Sequence, residues 1–299
     1  MMLYKIAKHL FQSVKRSYIK ISEYGGKRIE TGSVGNQWIA KMIVSNQPFC
    51  IARIGETELR ICQEFQNNLI YSDQAKTFAF QNAGIFPNNK DTLDAFAKVY
   101  IDAIKNTDAI GVWYNPGEGK LLKRLGVNPS LFELRALESY YYSEPWSAYL
   151  QGKKVLVVHP FKESILSQLK KRELLFDNKS ILPNCEIRVL KAVQSISGNS
   201  DFPDWIAALM NMKSEISKID FDVAIIGCGA YGLPLAEYCK SLGKQAIHMG
   251  GAVQILFGIK GKRWDDHPFI GKLYNEHWVR PLESEKAKNS EKVEGGTYW

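Results

Sequence analysis

A chain of 299 residues, 45% hydrophobic and 23% charged with a net charge of +8, has ordinary globular usage and is long enough to bury a sizeable core. No apolar run reaches the roughly 18 residues that cross a bilayer, and lysines and arginines interrupt the N-terminus, which argues against a signal peptide. The charge excess is concentrated at that end. Residues 1–28 carry Lys5, Lys8, Lys15, Arg16, Lys20, Lys27 and Arg28 against Glu23 alone, which is +6 and leaves +2 for the remainder. No basic stripe, zinc-finger or basic-zipper pattern accompanies it, so nucleic acid is not an expected partner. Cys50, Cys62, Cys185, Cys228 and Cys239 form no CxxC pair, as expected of reduced thiols in a cytoplasmic protein.

In chain order, Leu3, Ile6, Ala7, Leu10, Phe11, Val14, Tyr18 and Ile21 recur at three- and four-residue spacing with lysines between them. This predicts a basic amphipathic helix over residues 1–30. Such a helix either docks on the core with a solvated basic face or lies on an anionic membrane surface, which would make the protein peripheral on the inner face of the cell membrane. Strands are predicted at Phe49–Ile54, Ala109–Trp113, Lys154–His159, Cys185–Leu190, Asp222–Gly227 and Lys244–His248. Helices are expected over Glu56–Phe65, Gly117–Leu125, Lys162–Arg172, from Asp204, and over Leu233–Ser241. Val- and Ile-rich strands each followed by a helix predict an α/β fold, Rossmann-like, with a mostly parallel sheet and helices on both faces. This domain is expected to span residues 31–281. Residues 282–299 form a charged tail, its residues 282–293 reading as mobile, yet it closes on the aromatic pair Tyr298 and Trp299. That pair is expected to dock near the strand ends and help close the site.

Ligands of such sheets bind beyond the carboxyl ends of the strands, and several of those ends carry unusual residues. After the first strand come Arg53, Gly55, Glu56 and Glu58. The glycine permits a tight turn, Arg53 can reach a phosphate, and the two acids can serve Mg²⁺ or Mn²⁺, or simply complement a helix dipole. Gly227-Cys228-Gly229-Ala230-Tyr231-Gly232 fits G-x-G-x-x-G between a strand and a helix, where backbone amides approach a phosphate or glycines serve strand–helix packing. A dinucleotide enzyme would place an acid at the end of the next strand, but that strand runs into His248, Met249, Gly250 and Gly251. The glycine pair, Gln254 and then Arg263 offer a second anion site or a basic surface loop. Trp113, Asn115 and Glu118 follow the second strand and suit sugar recognition, while His159 offers a base or a structural histidine. No serine-hydrolase elbow or zinc spacing occurs.

The segment Arg53–Glu58, the glycine-rich turn at Gly227–Gly232, the stretch GGAVQILFGIKGKRW and the closing GGTYW resemble the GT-D-type glycosyltransferases, the last two stretches most specifically. The resemblance covers about residues 34–299. It implies a Rossmann-like enzyme of bacterial capsule, lipopolysaccharide or glycoprotein glycan assembly, using a nucleotide-sugar donor, commonly a uridine diphosphate sugar, and a glycan or lipid-linked glycan acceptor. The family's metal- and donor-binding Asp-x-Glu motif falls on Glu56 and Glu58, with Glu in place of the first Asp. The expected donor contacts are then Arg53, Gly55, the 227–232 loop, Gly250, Gly251, Gln254 and Arg263, with Trp113 and Asn115 beside them. Glu58 is expected to ligate a divalent metal or act as base, and Glu118, His159 and Asp265 are further candidate bases. A nicotinamide-dependent oxidoreductase and a non-catalytic nucleotide-sugar-binding protein are the alternatives.

Overall fold

The computed structural model describes residues 21–288, 296, 298 and 299. The expected N-terminal helix lies largely outside these residues, although residues 21–24 are helical. There Glu23 and Tyr24 are buried, with Tyr24 donating its hydroxyl to Glu118 at 2.8 Å.

Seven strands form one sheet in the order β3-β2-β1-β7-β6-β4-β5, and every pairing is parallel. They are β1 (Phe49–Ala52), β2 (Ala109–Val112), β3 (Ser130–Glu133), β4 (Lys154–His159), β5 (Glu186–Lys191), β6 (Val223–Ile226) and β7 (Gln245–His248). The expected Rossmann-like α/β architecture is the observed one. Side chains alternate across the sheet as strand geometry requires. Cys50, Leu156, Val158, Ala224, Ile226 and Ala246 pack into one core, while Phe49, Ile51, Val155, Val157, Val223 and Ile225 pack into the other. Helices Lys90–Lys105, Trp205–Ser217 and Gly232–Ser241 cover the first face and helix Gly32–Ser45 the second. All five cysteines are free and buried, and burial pushes the Cys50 thiol up to about 12.

Helices Gly32–Ser45, Asp73–Gln81 and Lys90–Lys105 are not among the expected elements, and three further features differ from expectation. β3 is an additional strand, a four-residue edge whose first residue is exposed, so no apolar run marks it. The helix expected over Lys162–Arg172 ends at Leu169, and a second short helix begins at Arg172, whose guanidinium donates to the carbonyls of Pro183 and Cys185. Residues 282–288 are anchored rather than mobile. Glu285 is 3% exposed and accepts from the backbone N–H groups of Glu163 and Ser164 and from the Ser164 hydroxyl. A carboxylate at the orphan amides of helix Lys162–Leu169 satisfies the donors that a helix start leaves open.

Candidate active site

A cavity of about 530 Å³ opens beyond the carboxyl ends of β1, β7, β6 and β4. The chain leaves β1 and turns at Gly55, the N-cap of helix Glu56–Gln66. Arg53 projects into the cavity and lies flat against Trp113 from the β2 end, 3.8 Å from the ring centroid. Stacking fixes the guanidinium plane while leaving its edge for hydrogen bonding. Glu58, half-buried, folds back against Gly55, where any side chain would collide with its carboxylate. Burial raises the Glu58 pKa, and its own backbone N–H and the Arg53 charge partly offset that rise. Glu56 stands in the same first turn but is exposed. Two residues apart on a helix, the two acids do not face each other, though both line the cavity. Among the described residues no group of three or more His, Cys, Asp and Glu could hold a metal ion.

The two glycine-rich turns form the floor. Gly229 has φ +58° with open space where a Cβ would lie, and Gly250 has φ +64° with Arg53 above it. Both bring backbone to the cavity surface. Gly227 also lines the cavity, but a Cβ there would lie 2.5 Å from the Gly250 carbonyl oxygen, so it serves close packing. Gly232 serves packing alone: it begins helix Gly232–Ser241, outside the lining, with its Cα against the His248 imidazole. Tyr231 is buried, stacked on Trp205 at 4.9 Å between centroids, with its hydroxyl 2.7 Å from the Ser195 Oγ. Its role is to hold the wall.

The remaining expected residues divide. His159 lines the cavity, accepts from the Phe161 N–H at Nδ1 and is held neutral by burial, its pKa pulled down to about 3. Its proton therefore sits on Nε2. Gln254, fully buried, donates from Nε2 to the carbonyls of Ile259 and Tyr298, both at 3.3 Å. Arg263 lines the cavity with its guanidinium 5.0 Å from the Tyr298 ring. Tyr298 packs over Gly251, and Trp299 meets Phe161 edge-on at 5.8 Å. The aromatic end is thus part of the same wall as Glu58.

Asn115, Glu118 and Asp265 are not in that wall. Asn115 donates to the Ile54 carbonyl at 3.5 Å, and Asp265 is engaged by the Arg280 guanidinium at 2.7 and 2.8 Å. Glu118 is fully buried and accepts from Tyr24 Oη and from the Trp113 N–H at 3.3 Å, which makes it a support for the loop that carries Trp113. Burial raises its pKa from an ordinary 4.5 to about 7. The native state then holds a proton that the unfolded chain has lost, so this group's contribution to stability is intact below about pH 4.5 and declines as pH rises through about 7. In Glu118→Gln that decline should vanish: the Tm difference, variant minus wild type, should grow between pH 5 and 8, as followed by thermal scans across that range.

Two residues, one lining the cavity and one outside that lining but within reach of the Arg53 charge, carry no warning in the sequence. His248, at the end of β7, is 4% exposed and lines the cavity beside Arg53, and burial and the Arg53 charge pull its pKa down to about 3. Glu138, half-buried between β3 and β4, has its pKa raised by burial and held back by Arg53.

A family model described as a GT-D fold-like domain matches residues 30–256, most of the chain. A solved structure of domain of unknown function 1792, in selenomethionine-substituted form, is similar over 92% of this chain and 96% of its own, with 12% identity and a TM-score of 0.48. No curated protein matches the sequence.

Proposed function

Since the chain belongs to the GT-D-like family, whose fold implies a glycosyltransferase, we propose that it moves a sugar from a UDP-sugar to a hydroxyl of a glycan or lipid-linked glycan during assembly of a bacterial surface polysaccharide. The observation that carries this reading is Arg53, stacked on Trp113 beside Gly250 and Glu58 at the strand ends. An oriented guanidinium over exposed backbone at a glycine turn suits a diphosphate, and the neighbouring carboxyl group suits proton abstraction.

In this scheme the acceptor oxygen bonds to the anomeric carbon as its proton passes to the Glu58 carboxylate. The bond from that carbon to the diphosphate oxygen breaks, and UDP leaves with the electron pair. Arg53 and Arg263 balance the charge that develops on the leaving group. Partial burial makes Glu58 a stronger base than a solvated carboxylate. Glu58 would hold a divalent cation only in place of this role as base, and the cation would then supply neutralisation of the leaving diphosphate. His159 and His248, both neutral, would contribute hydrogen bonds and not charge. A nicotinamide cofactor gains no support, because an imidazole stands where the strand after the glycine turn would present a ribose-binding acid.

Incubation with a panel of UDP-sugars and detection of released UDP tests the proposal; failure of every UDP-sugar to bind, alongside saturable NADH binding, would reject it. The aromatic wall gives a further expectation. Replacing Tyr298 and Trp299 together by Ala removes surface on both sides of Arg263 and Phe161. KM for the donor or the acceptor should rise about tenfold or more, equivalent to ~1.4 kcal/mol, with Tm falling by only a few degrees. Unchanged kinetics would remove the pair from the site.

A further inference from the structure

A second group of cavity-lining residues differs in chemistry from Arg53, Arg263 and the glycine turns. Helix Asp73–Gln81 follows helix Glu56–Gln66, and its cavity-lining residues are Gln74, Ala75 and Phe78, continued by Asn82 at the C-cap. Gln74, Phe78 and Asn82 are spaced four apart, so amide, aromatic ring and amide form one stripe along a single helix face. Gln194, from the segment after β5, lines the same space. Gln74 is oriented by Arg60, whose Nη1 donates to its Oε1 at 3.0 Å, which leaves the amide N–H groups for a ligand. Phe78 is 39% exposed, although its neighbours Ala75 and Ala79 are buried.

No residue of this stripe carries a formal charge, and Arg60, which lines the cavity beside Gln74, spends its guanidinium on Glu64, Gln74 and Ser72, so the stripe itself offers a diphosphate only hydrogen bonding. Side-chain amides supply paired donors and acceptors matched to vicinal hydroxyls, and an exposed ring offers a face to the C–H side of a pyranose. Glu58, in the first turn of the preceding helix, lines the same cavity.

We propose that the Gln74–Phe78–Asn82 stripe, with Gln194, is the acceptor subsite, and that it takes an uncharged saccharide whose nucleophilic hydroxyl is presented to Glu58. The assignment rests on the glycosyltransferase reading above and deepens it. The ring of Phe78 stacks on the acceptor sugar, Gln74 and Asn82 bond its hydroxyls, and the donor keeps to Arg53, Arg263 and the glycine turns.

The experiment uses the full chain, UDP, and a panel of p-nitrophenyl hexosides as acceptor probes. UDP binding is measured by calorimetry, and hexoside binding in the presence of UDP by saturation-transfer difference NMR. The wild type should bind UDP and at least one hexoside. Phe78→Ala combined with Asn82→Ala should weaken hexoside binding at least tenfold while the Kd for UDP stays within twofold. Phe78→Tyr, which retains the ring, should restore most of the affinity. Phe78 is an exposed side chain, and thermal scans should show both variants folded. Equal hexoside binding by wild type and the double variant would overturn the assignment, as would absence of hexoside binding to a UDP-bound wild type. A wild type that binds no UDP would instead refute the glycosyltransferase reading itself.

Discussion

Glu58→Gln is expected to lower kcat for sugar transfer by about 10²–10⁴-fold, the usual contribution of a positioned general base, while Tm stays level or rises. The two effects have one cause. Burial raises the Glu58 pKa, so the fold bears a desolvation cost for the ionised carboxylate, and the same cost makes that carboxylate a better proton acceptor. An isosteric amide removes the charge and both consequences with it. The side chain's fold against Gly55 is compatible with Gln, so the geometry should survive. Steady-state kinetics with a UDP-sugar, paired with a thermal scan, check the expectation. Wild-type kcat in a folded variant would exclude Glu58 as base and as ligand.

Arg53→Ala should reduce kcat/KM by about 10²–10³-fold, which is ~3–4 kcal/mol at 1.36 kcal/mol per decade. Hydrogen bonds to charged groups contribute about 1.5–3 kcal/mol each, and a stacked guanidinium can form two. Arg53→Lys should recover only part of the loss, since an ammonium neither stacks on Trp113 in the same way nor presents a fork. The charge also acts on its neighbours. Arg53 holds down the pKa of both Glu58 and Glu138, so its removal should move the acidic limb of the pH–rate profile to higher pH. A profile that falls in height without shifting would show that Glu58 is not the group whose ionisation is observed.

The sheet was legible because its strands announce themselves. Val155–Val158 and Val223–Ile226 are continuous apolar runs bounded by turn residues, the mark of strands buried on both faces. β3 escaped because a short edge strand has one wet side and needs no such run. Much of the candidate site was legible for a related reason: Arg53, Gly229 and Gly250 each follow a strand and His159 ends one, and a parallel sheet brings all its carboxyl ends to one side. Glu118 and Asp265 look equally chemical in sequence, but their partners Tyr24 and Arg280 come from tertiary packing and a distant loop, and those contacts have no local signature. Phe78 and Asn82 went unnoticed for the opposite reason. A phenylalanine at helical spacing reads as core, and only the fold reveals that this one faces a cavity.

Burial keeps Cys50, Cys62, Cys185 and Cys239 silent toward thiol reagents while the protein stays folded, since the thiolate is the reactive form and burial suppresses it; Cys228 differs in lining the cavity. That silence can serve as a clock. Cys50, Cys62 and Cys239 belong to one core layer and Cys185 to the other, so each becomes reactive only when its own layer opens. Pulse alkylation followed by mass spectrometry would then report which side of the sheet loosens first, with no engineered probe. The same absence of surface thiols leaves the native chain ready for one added cysteine, and a fluorophore placed at the cavity rim would be the sole surface label.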